Sequence, residues 1–481
     1  MTRRRETAER KYFLGSLKLF SESRWLYEDP VTKLLLRGHL DNFPEGWLEA
    51  LKDLDCRELN EFVVKKTTKE FWPKSLNDFV EACSDVDKLN YKKSSLELNI
   101  ELSKQCFRGL SPKKWHEICH LTQLVHEQCS LQGIDVIVDL GAGLGYICQL
   151  LHELYGYRVL GLEASPRNTE SAKGRQEKYH PLSRNAVKFV CCKVNENSIE
   201  IIESLLREHF EECQNVGLIG LHACGDLSVD ALKAFSKMAA ARLLVLMSCC
   251  YHKMAPAETG EFFCHFPLSV ELREALEEFG KSGGMFLERP FLRLACQESA
   301  ERWNDASEEL HRKHGFHVLA RAVLELYAHK EGFRLEKRVQ KGTRKSQCAD
   351  FETYLLDSLK RYRFKQFTGD IEQVAEGAAF KERVKVDGKS LWDKNSEKIE
   401  AAEAYTALQM HLQSPAESLI LMDRICWLNE QGKYYSQLQR YQRHYENKKR
   451  KKKNKKEREI RDYVDDNESG DDDNGDRHED K

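Results

Sequence analysis

Three groups of residues in this sequence have the types and spacing to do chemistry. The first is Asp139 followed by glycines at 141, 143 and 145. Glycines so placed let the backbone turn sharply and approach a ligand with no Cβ in the way. The third glycine stands four residues after the first, whereas the dinucleotide fingerprint Gly-x-Gly-x-x-Gly requires five. A carboxylate beside such a turn suits a ligand that carries positive charge and lacks a pyrophosphate. The second group is Glu163, about 20 residues beyond the glycines, where a carboxylate accepts both hydroxyls of a ribose. Lys193 and Val194, after the next β-branched run, are candidates for backbone contacts to the base. The third group is split between Gly220-Leu-His-Ala-Cys-Gly-Asp-Leu-Ser228 and Met247-Ser-Cys-Cys-Tyr-His252.

His222, Asp226, Cys250 and His252 are the candidate catalytic residues, and Tyr251 is a candidate substrate contact. Three readings of these two clusters stay open. His222, Cys224, Cys249, Cys250 and His252 include the ligand types of zinc, but adjacent cysteines rarely both ligate one metal, so no metal is expected. Cys224 with Cys249 or Cys250 matches the placement of the nucleophiles of RNA cytosine-5 methyltransferases, without their Pro-Cys dipeptide. Otherwise the cysteines are small packing residues and the polar groups hold ligands.

These residues need elements to position them. From Ile134 onward, short β-branched runs alternate with amphipathic runs. The expected strands are Asp135–Leu140, Arg158–Leu162, Val187–Val194, Val216–Leu221 and Arg242–Met247, with helices such as Pro166–Lys178, Ser198–Phe210 and Ser228–Met238 between them. That alternation predicts a parallel sheet covered on both faces. Ligands of such sheets bind at the carboxyl ends of the strands, where all three groups fall. Ser111-Pro-Lys-Lys-Trp-His-Glu117 predicts a helix start, with serine as N-cap and proline in the first turn. Lys113 and Lys114 then sit where the helix dipole disfavours cations by about 0.3–1 kcal/mol each, which points to an anion nearby. They are candidate substrate-binding residues.

The pattern predicts a helical N-terminal domain over 1–105, an α/β domain over 106–330, helical C-terminal segments over 331–445 that complete it, and a charged tail over 446–481. The C-terminal helices include Phe316–Tyr327 and Phe351–Arg363. The basic run 334–345 predicts a solvated loop. Of the 481 residues, 41% are hydrophobic, which suits a folded, cored protein. No apolar run is long enough to span a bilayer, and no secretory signal follows the first residues. Sixteen cysteines without such a signal predict reduced thiols in the nucleus or cytoplasm. The net charge of −2 conceals a segregated tail, basic over Lys448–Lys456 and acidic from Asp462. Such blocks lack the apolar residues to fold, and the basic one suits nuclear import or nucleic acid.

Asp139 with Gly-x-Gly-x-Gly resembles motif I of class I S-adenosylmethionine-dependent methyltransferases. More specifically, the chain resembles the methyltransferase-like proteins labelled "ribosomal RNA adenine dimethylase domain-containing". The resemblance rests on Ser111–Glu117, Asp139–Gly145, Gly220–Ser228, Cys249-Cys-Tyr251, Glu417-Ser-Leu-Ile-Leu-Met-Asp-Arg424 and Leu428-Asn-Glu-Gln-Gly432. It covers roughly residues 40–435. It implies a Rossmann-like methyltransferase sheet, S-adenosylmethionine as cofactor and RNA as substrate, with protein as the alternative. Asp139 and Gly141–Gly145 would hold the methionine half and Glu163 the ribose. The Asn/Asp-Pro-Pro-Tyr/Phe signature of adenine dimethylases is absent, since His222-Ala-Cys-Gly-Asp226 stands in its place. Adenine-N6 chemistry is therefore not expected. The family's closing strands after Gly432 also have no β-branched counterpart here. These departures keep open a non-catalytic scaffold that retains the fold.

Overall fold

The computed structural model describes residues 7–88, 91–92, 110–210, 213–258, 262–280, 286–297, 300–338, 350–368, 371–432 and 440–441. The chain forms two compact units. Among the described residues, one comprises those within 91–222 and 230–247 with 440–441, and the other comprises those within 7–88, 223–229 and 248–432.

The first unit is the α/β unit. It opens with α1 (Pro112–Gln132), where the Ser111 side chain accepts from the Lys114 N–H and Gly133 ends the helix in the left-handed conformation. Then follow β1 (Val136–Leu140), α2 (Tyr146–Tyr155), β2 (Arg158–Glu163), α3 (Pro166–Tyr179), β3 (Val187–Cys191), α4 (Ile199–His209), β4 (Val216–Leu221), α5 (Leu227–Lys237) and β5 (Ala241–Met247). The strands form one sheet in the order β3-β2-β1-β4-β5, and every pair is parallel. This is the expected α/β Rossmann-like architecture. β1 is buried along its whole length, as a strand covered on both faces must be. The strand order reverses between β1 and β4, and a crevice at such a switch point is where open α/β sheets bind ligands.

The core of this unit joins Ile137, Val159 and Phe189 of the sheet to Cys148, Leu151 and Ala172 of the covering helices. β3 stops at Cys191, so Lys193 and Val194 lie past the strand rather than in it. Among the described residues the five-stranded sheet ends at β5. Arg440–Tyr441 instead pairs in parallel with Tyr91–Lys92.

The second unit is mainly helical. Its N-terminal part includes the helices Ala8–Glu22, Cys56–Lys65 and Lys74–Val86. It also contains α6 (Glu308–Lys330), β6 (Arg334–Lys337), α7 (Phe351–Arg361), β7 (Tyr362–Thr368), β8 (Ile371–Ala375) and α8 (Ile399–Glu430). β6, β7 and β8 make a three-stranded antiparallel sheet that the sequence pattern does not predict. The expected helix Phe351–Arg363 ends two residues early, where Tyr362-Arg-Phe-Lys365 alternates aromatic and basic side chains, the period of a strand. The basic run expected as a loop begins as strand β6, and its later residues lie outside the described ones. α8 is buried over most of its length, including Glu417, Asp423 and Arg424. The tail 446–481 lies outside the described residues, and no helix among the described residues is long and apolar enough to cross a membrane.

Candidate functional site

In the α/β unit the glycine turn joins β1 to α2. Gly141, Gly143 and Gly145 all have positive φ, at 86°, 59° and 74°. L side chains avoid that region, so the turn needs glycine on backbone grounds alone. The three positions differ in surroundings. A Cβ at Gly143 would have nothing within 4 Å, so this is the open face of the turn. A Cβ at Gly145 would stand 2.3 Å from Cζ of Phe189. Phe189 also covers Gly161 of β2, where a Cβ would lie 2.8 Å from Cδ1. Gly145 therefore serves the core, and Gly143 serves whatever approaches from outside.

Glu163 ends β2 next to this turn. Its Oε2 accepts the Gly143 N–H (2.9 Å), and its Oε1 accepts the Ser165 N–H (2.9 Å) and the Asn168 side-chain amide (3.3 Å). The carboxylate is thus fixed by three protein donors and remains half-buried. Two carboxylate oxygens offer about four acceptor directions, so a further donor can be met.

Asp139, expected beside the ligand, is 1% exposed. Its Oδ2 accepts from the Cys148 thiol (3.1 Å) in the first turns of α2. Burial pushes its carboxyl up from 3.8 to about 7. Asp139 therefore ties the turn to α2 from beneath. Lys193 is exposed after β3.

His222 follows β4 in a left-handed backbone conformation, φ 62°. A bulky residue there carries strain of order 1–3 kcal/mol, a feature that clusters at functional sites. Its Nε2 lies 3.2 Å from Oε2 of Glu117, with side-chain exposures of 41% and 7%. Glu117 comes from α1, six residues after its serine cap. Sequence reasoning places Glu117 within a motif and assigns it no role. Its signal is its spacing, one helical turn past Lys113 and Lys114. Lys114 is exposed on the first turn of α1, while the side chain of Lys113 lies outside the described residues.

Leu221 and Met247 are register partners at the ends of β4 and β5, so the two polar clusters leave the sheet from neighbouring strands. His222 stays with the α/β unit, whereas Ala223–Val229 and the residues from Ser248 onward belong to the second unit. There the Gly225 N–H donates to the Cys250 carbonyl (3.3 Å), and Asp226 accepts the Ala255 N–H (3.1 Å). Gly225 has φ 57°, and a Cβ on it would stand 3.0 Å from the Lys253 carbonyl oxygen. Only glycine allows this approach of the two segments. Cys224 Sγ lies 3.0 Å from Cys249 Sγ, and Cys249 Sγ lies 3.6 Å from Cys250 Sγ. Contact with Cys224, then burial, pushes the Cys249 thiol far up. His252 Nδ1 faces Cys296 Sγ at 3.0 Å. Burial, then the charges of Arg293, Lys253 and Arg289, lower its basicity.

Tyr251, expected against substrate, is buried, and its hydroxyl donates to Glu417 (3.1 Å) on α8. Arg424 of the same helix stacks over the Tyr251 ring at 5.1 Å and donates to Ser248 and Ser228 (2.9 Å each). Burial outweighs the neighbouring acids and lowers its basicity. The motif residues Glu417 and Arg424 thus hold the Ser-Cys-Cys-Tyr segment, a role that sequence spacing does not disclose.

Residues 113–257 match a family described as "Methyltransferase domain". Over 450 residues the chain is 21% identical to "Probable methyltransferase-like protein 25" of Mus musculus, a match covering 67% of this chain and 71% of that protein. A shorter stretch of 69 residues is 35% identical to "Probable methyltransferase-like protein 25" of Homo sapiens, covering 14% of this chain and 11% of that protein. These matches support the methyltransferase domain and not the finer adenine-dimethylase label.

Proposed function

We propose that this chain is an S-adenosylmethionine-dependent methyltransferase that acts on RNA by direct transfer. The observation that carries the cofactor is the pairing of Glu163 with the open glycine turn. A fixed, half-buried carboxylate ends β2, bonded to the backbone of Gly143, where a Cβ would meet nothing within 4 Å among the described residues beyond its chain neighbours. The residues present fit the cofactor: Glu163 for the ribose hydroxyls, Gly141 and Gly143 for close backbone approach, and Lys193 for the base. When bound, S-adenosylmethionine supplies an electrophilic methyl group.

The chain's own part is alignment and proton removal. With Glu117 accepting from Nε2–H of His222, the imidazole is held with Nδ1 as its basic nitrogen. Nδ1 then takes the proton of the acceptor group. Lys114, exposed on the first turn of α1, is the candidate phosphate contact among the described side chains. Asp226 and His252 remain candidate catalytic residues, and Cys250 carries no transfer step. RNA is favoured by the basic runs at 334–345 and Lys448–Lys456. The nucleus is the proposed location on the same ground.

The test supplies labelled methyl donor to total RNA and total protein from cells lacking this chain. Label should enter RNA, and His222→Ala should lower transfer by about 10²–10⁴. RNA carrying 5-fluorocytosine should form no covalent adduct. Label found only in protein would overturn the substrate. Absence of cofactor binding by calorimetry at millimolar concentration would overturn the cofactor and leave the scaffold reading.

A further inference from the structure

We propose that Cys224, Cys249 and Cys250 form a three-thiolate site for a thiophilic divalent cation, Zn²⁺ in the first instance. The three sulfurs all lie within 4.8 Å of one another. In a tetrahedral zinc site with Zn–S near 2.3 Å, sulfurs stand about 3.8 Å apart. The observed separations of 3.0 Å and 3.6 Å reach that spacing by small side-chain rotations.

Adjacent cysteines argue against a shared metal only while the backbone stays extended, because successive side chains of a strand point to opposite faces. Here the strand has ended. β5 stops at Met247, and Cys250, with φ −128° and ψ 64°, leads into a 3₁₀ turn over Tyr251–Lys253. That bend puts the Cys249 and Cys250 thiols on one side.

The scaffold around the thiols is fixed before any cation arrives, as a metal site requires. The Gly225 N–H binds the Cys250 carbonyl, and Asp226 binds the Ala255 N–H. Arg424 holds Ser248, the residue before Cys249, and Ser228, four residues after Cys224. Three thiolates around a divalent cation leave one net negative charge. Arg289, which donates to the His252 carbonyl, brings a positive charge to this segment. Binding would release the three thiol protons to solvent as three sulfur–metal bonds form. The fourth position of the cation stays open to an exogenous ligand. Occupied in this way, Cys224, Cys249 and Cys250 are not available as nucleophiles, which agrees with direct transfer and does not depend on it.

The full chain, reduced and freed of metal by a chelator, is titrated anaerobically with Co²⁺ and then Zn²⁺. The wild type should bind about one equivalent of Co²⁺ with intense thiolate-to-metal charge-transfer absorption, which Zn²⁺ abolishes by displacement. Cys224→Ser, Cys249→Ser and Cys250→Ser should each weaken binding by more than the 10- to 100-fold typical of an outer-shell change. Cys191→Ser, at an exposed thiol elsewhere, should not. The wild-type cobalt spectrum decides the matter even where a serine variant fails to fold. No charge-transfer band in the reduced wild type overturns the proposal. So does full-affinity binding retained by the three serine variants, and so does a chain that forms a Cys224–Cys249 disulfide and takes up no metal once reduced.

Discussion

At the scale of single residues, the proposed cofactor contact of Glu163 can be told apart from the packing role of Gly145. Glu163→Ala removes a charge-assisted interaction worth roughly 1.5–3 kcal/mol, or about ten- to a hundredfold in affinity. Calorimetry with S-adenosylmethionine should show that weakening, and the melting temperature should fall as well, because the Gly143 N–H, the Ser165 N–H and the Asn168 amide lose their acceptor. Gly145→Ala should act first on stability. Its Cβ would meet Phe189 at 2.3 Å, adding roughly 1–3 kcal/mol of overpacking to roughly 1–2 kcal/mol for a left-handed residue. Chemical denaturation should register it directly. Glycine spacing in the sequence located the turn. It did not say which glycine faces a ring and which faces open space, because that depends on Phe189, 44 residues away in sequence (189 − 145).

At the scale of elements, the junction of β1 and α2 is held by a buried carboxyl. Asp139 keeps its proton up to about pH 7 in the folded chain, against 3.8 ordinarily. Between these values the folded state binds more protons than the unfolded one, so this group makes stability fall as pH rises through the window. Asp139→Asn has no such titration. Its melting temperature should therefore decline less than that of the wild type between about pH 4 and pH 7, as scanning calorimetry can measure. The strands and helices of the α/β unit were legible because apolar runs and punctuating glycines repeat with the right periods. The β6-β7-β8 sheet was not. Its strands are charged, Arg334-Leu-Glu-Lys for instance, and their alternation is hidden in a basic stretch. Pairing among three strands, rather than the apolar content of any one, makes them strands.

At the scale of the whole molecule, charge is segregated along the chain, and the proposed RNA partner would meet its basic part. Lys448–Lys456 holds eight basic residues in nine. Removing residues 446–481 should reduce the dependence of RNA affinity on salt by about 0.7 in log–log slope for each phosphate that this segment neutralises. The melting temperature of the remainder should stay unchanged. Filter binding at several ionic strengths, beside a thermal melt, reads both quantities. A large drop in melting temperature would show that this segment packs against the fold.

By itself the sequence determined the parallel sheet, the glycine turn, the acid at the end of β2 and the serine-capped start of α1. Each is a local pattern whose cause lies within a few residues: periodicity, backbone freedom or an N-cap. The tertiary structure decided what those residues touch. It buried Asp139 under the turn against Cys148, set Glu117 beside His222, and sent the Tyr251 hydroxyl to Glu417, 166 residues on. It also turned two adjacent cysteines to the same side as a third. Long-range packing sets such contacts, and spacing along the chain does not encode the bend of a backbone after its strand has ended.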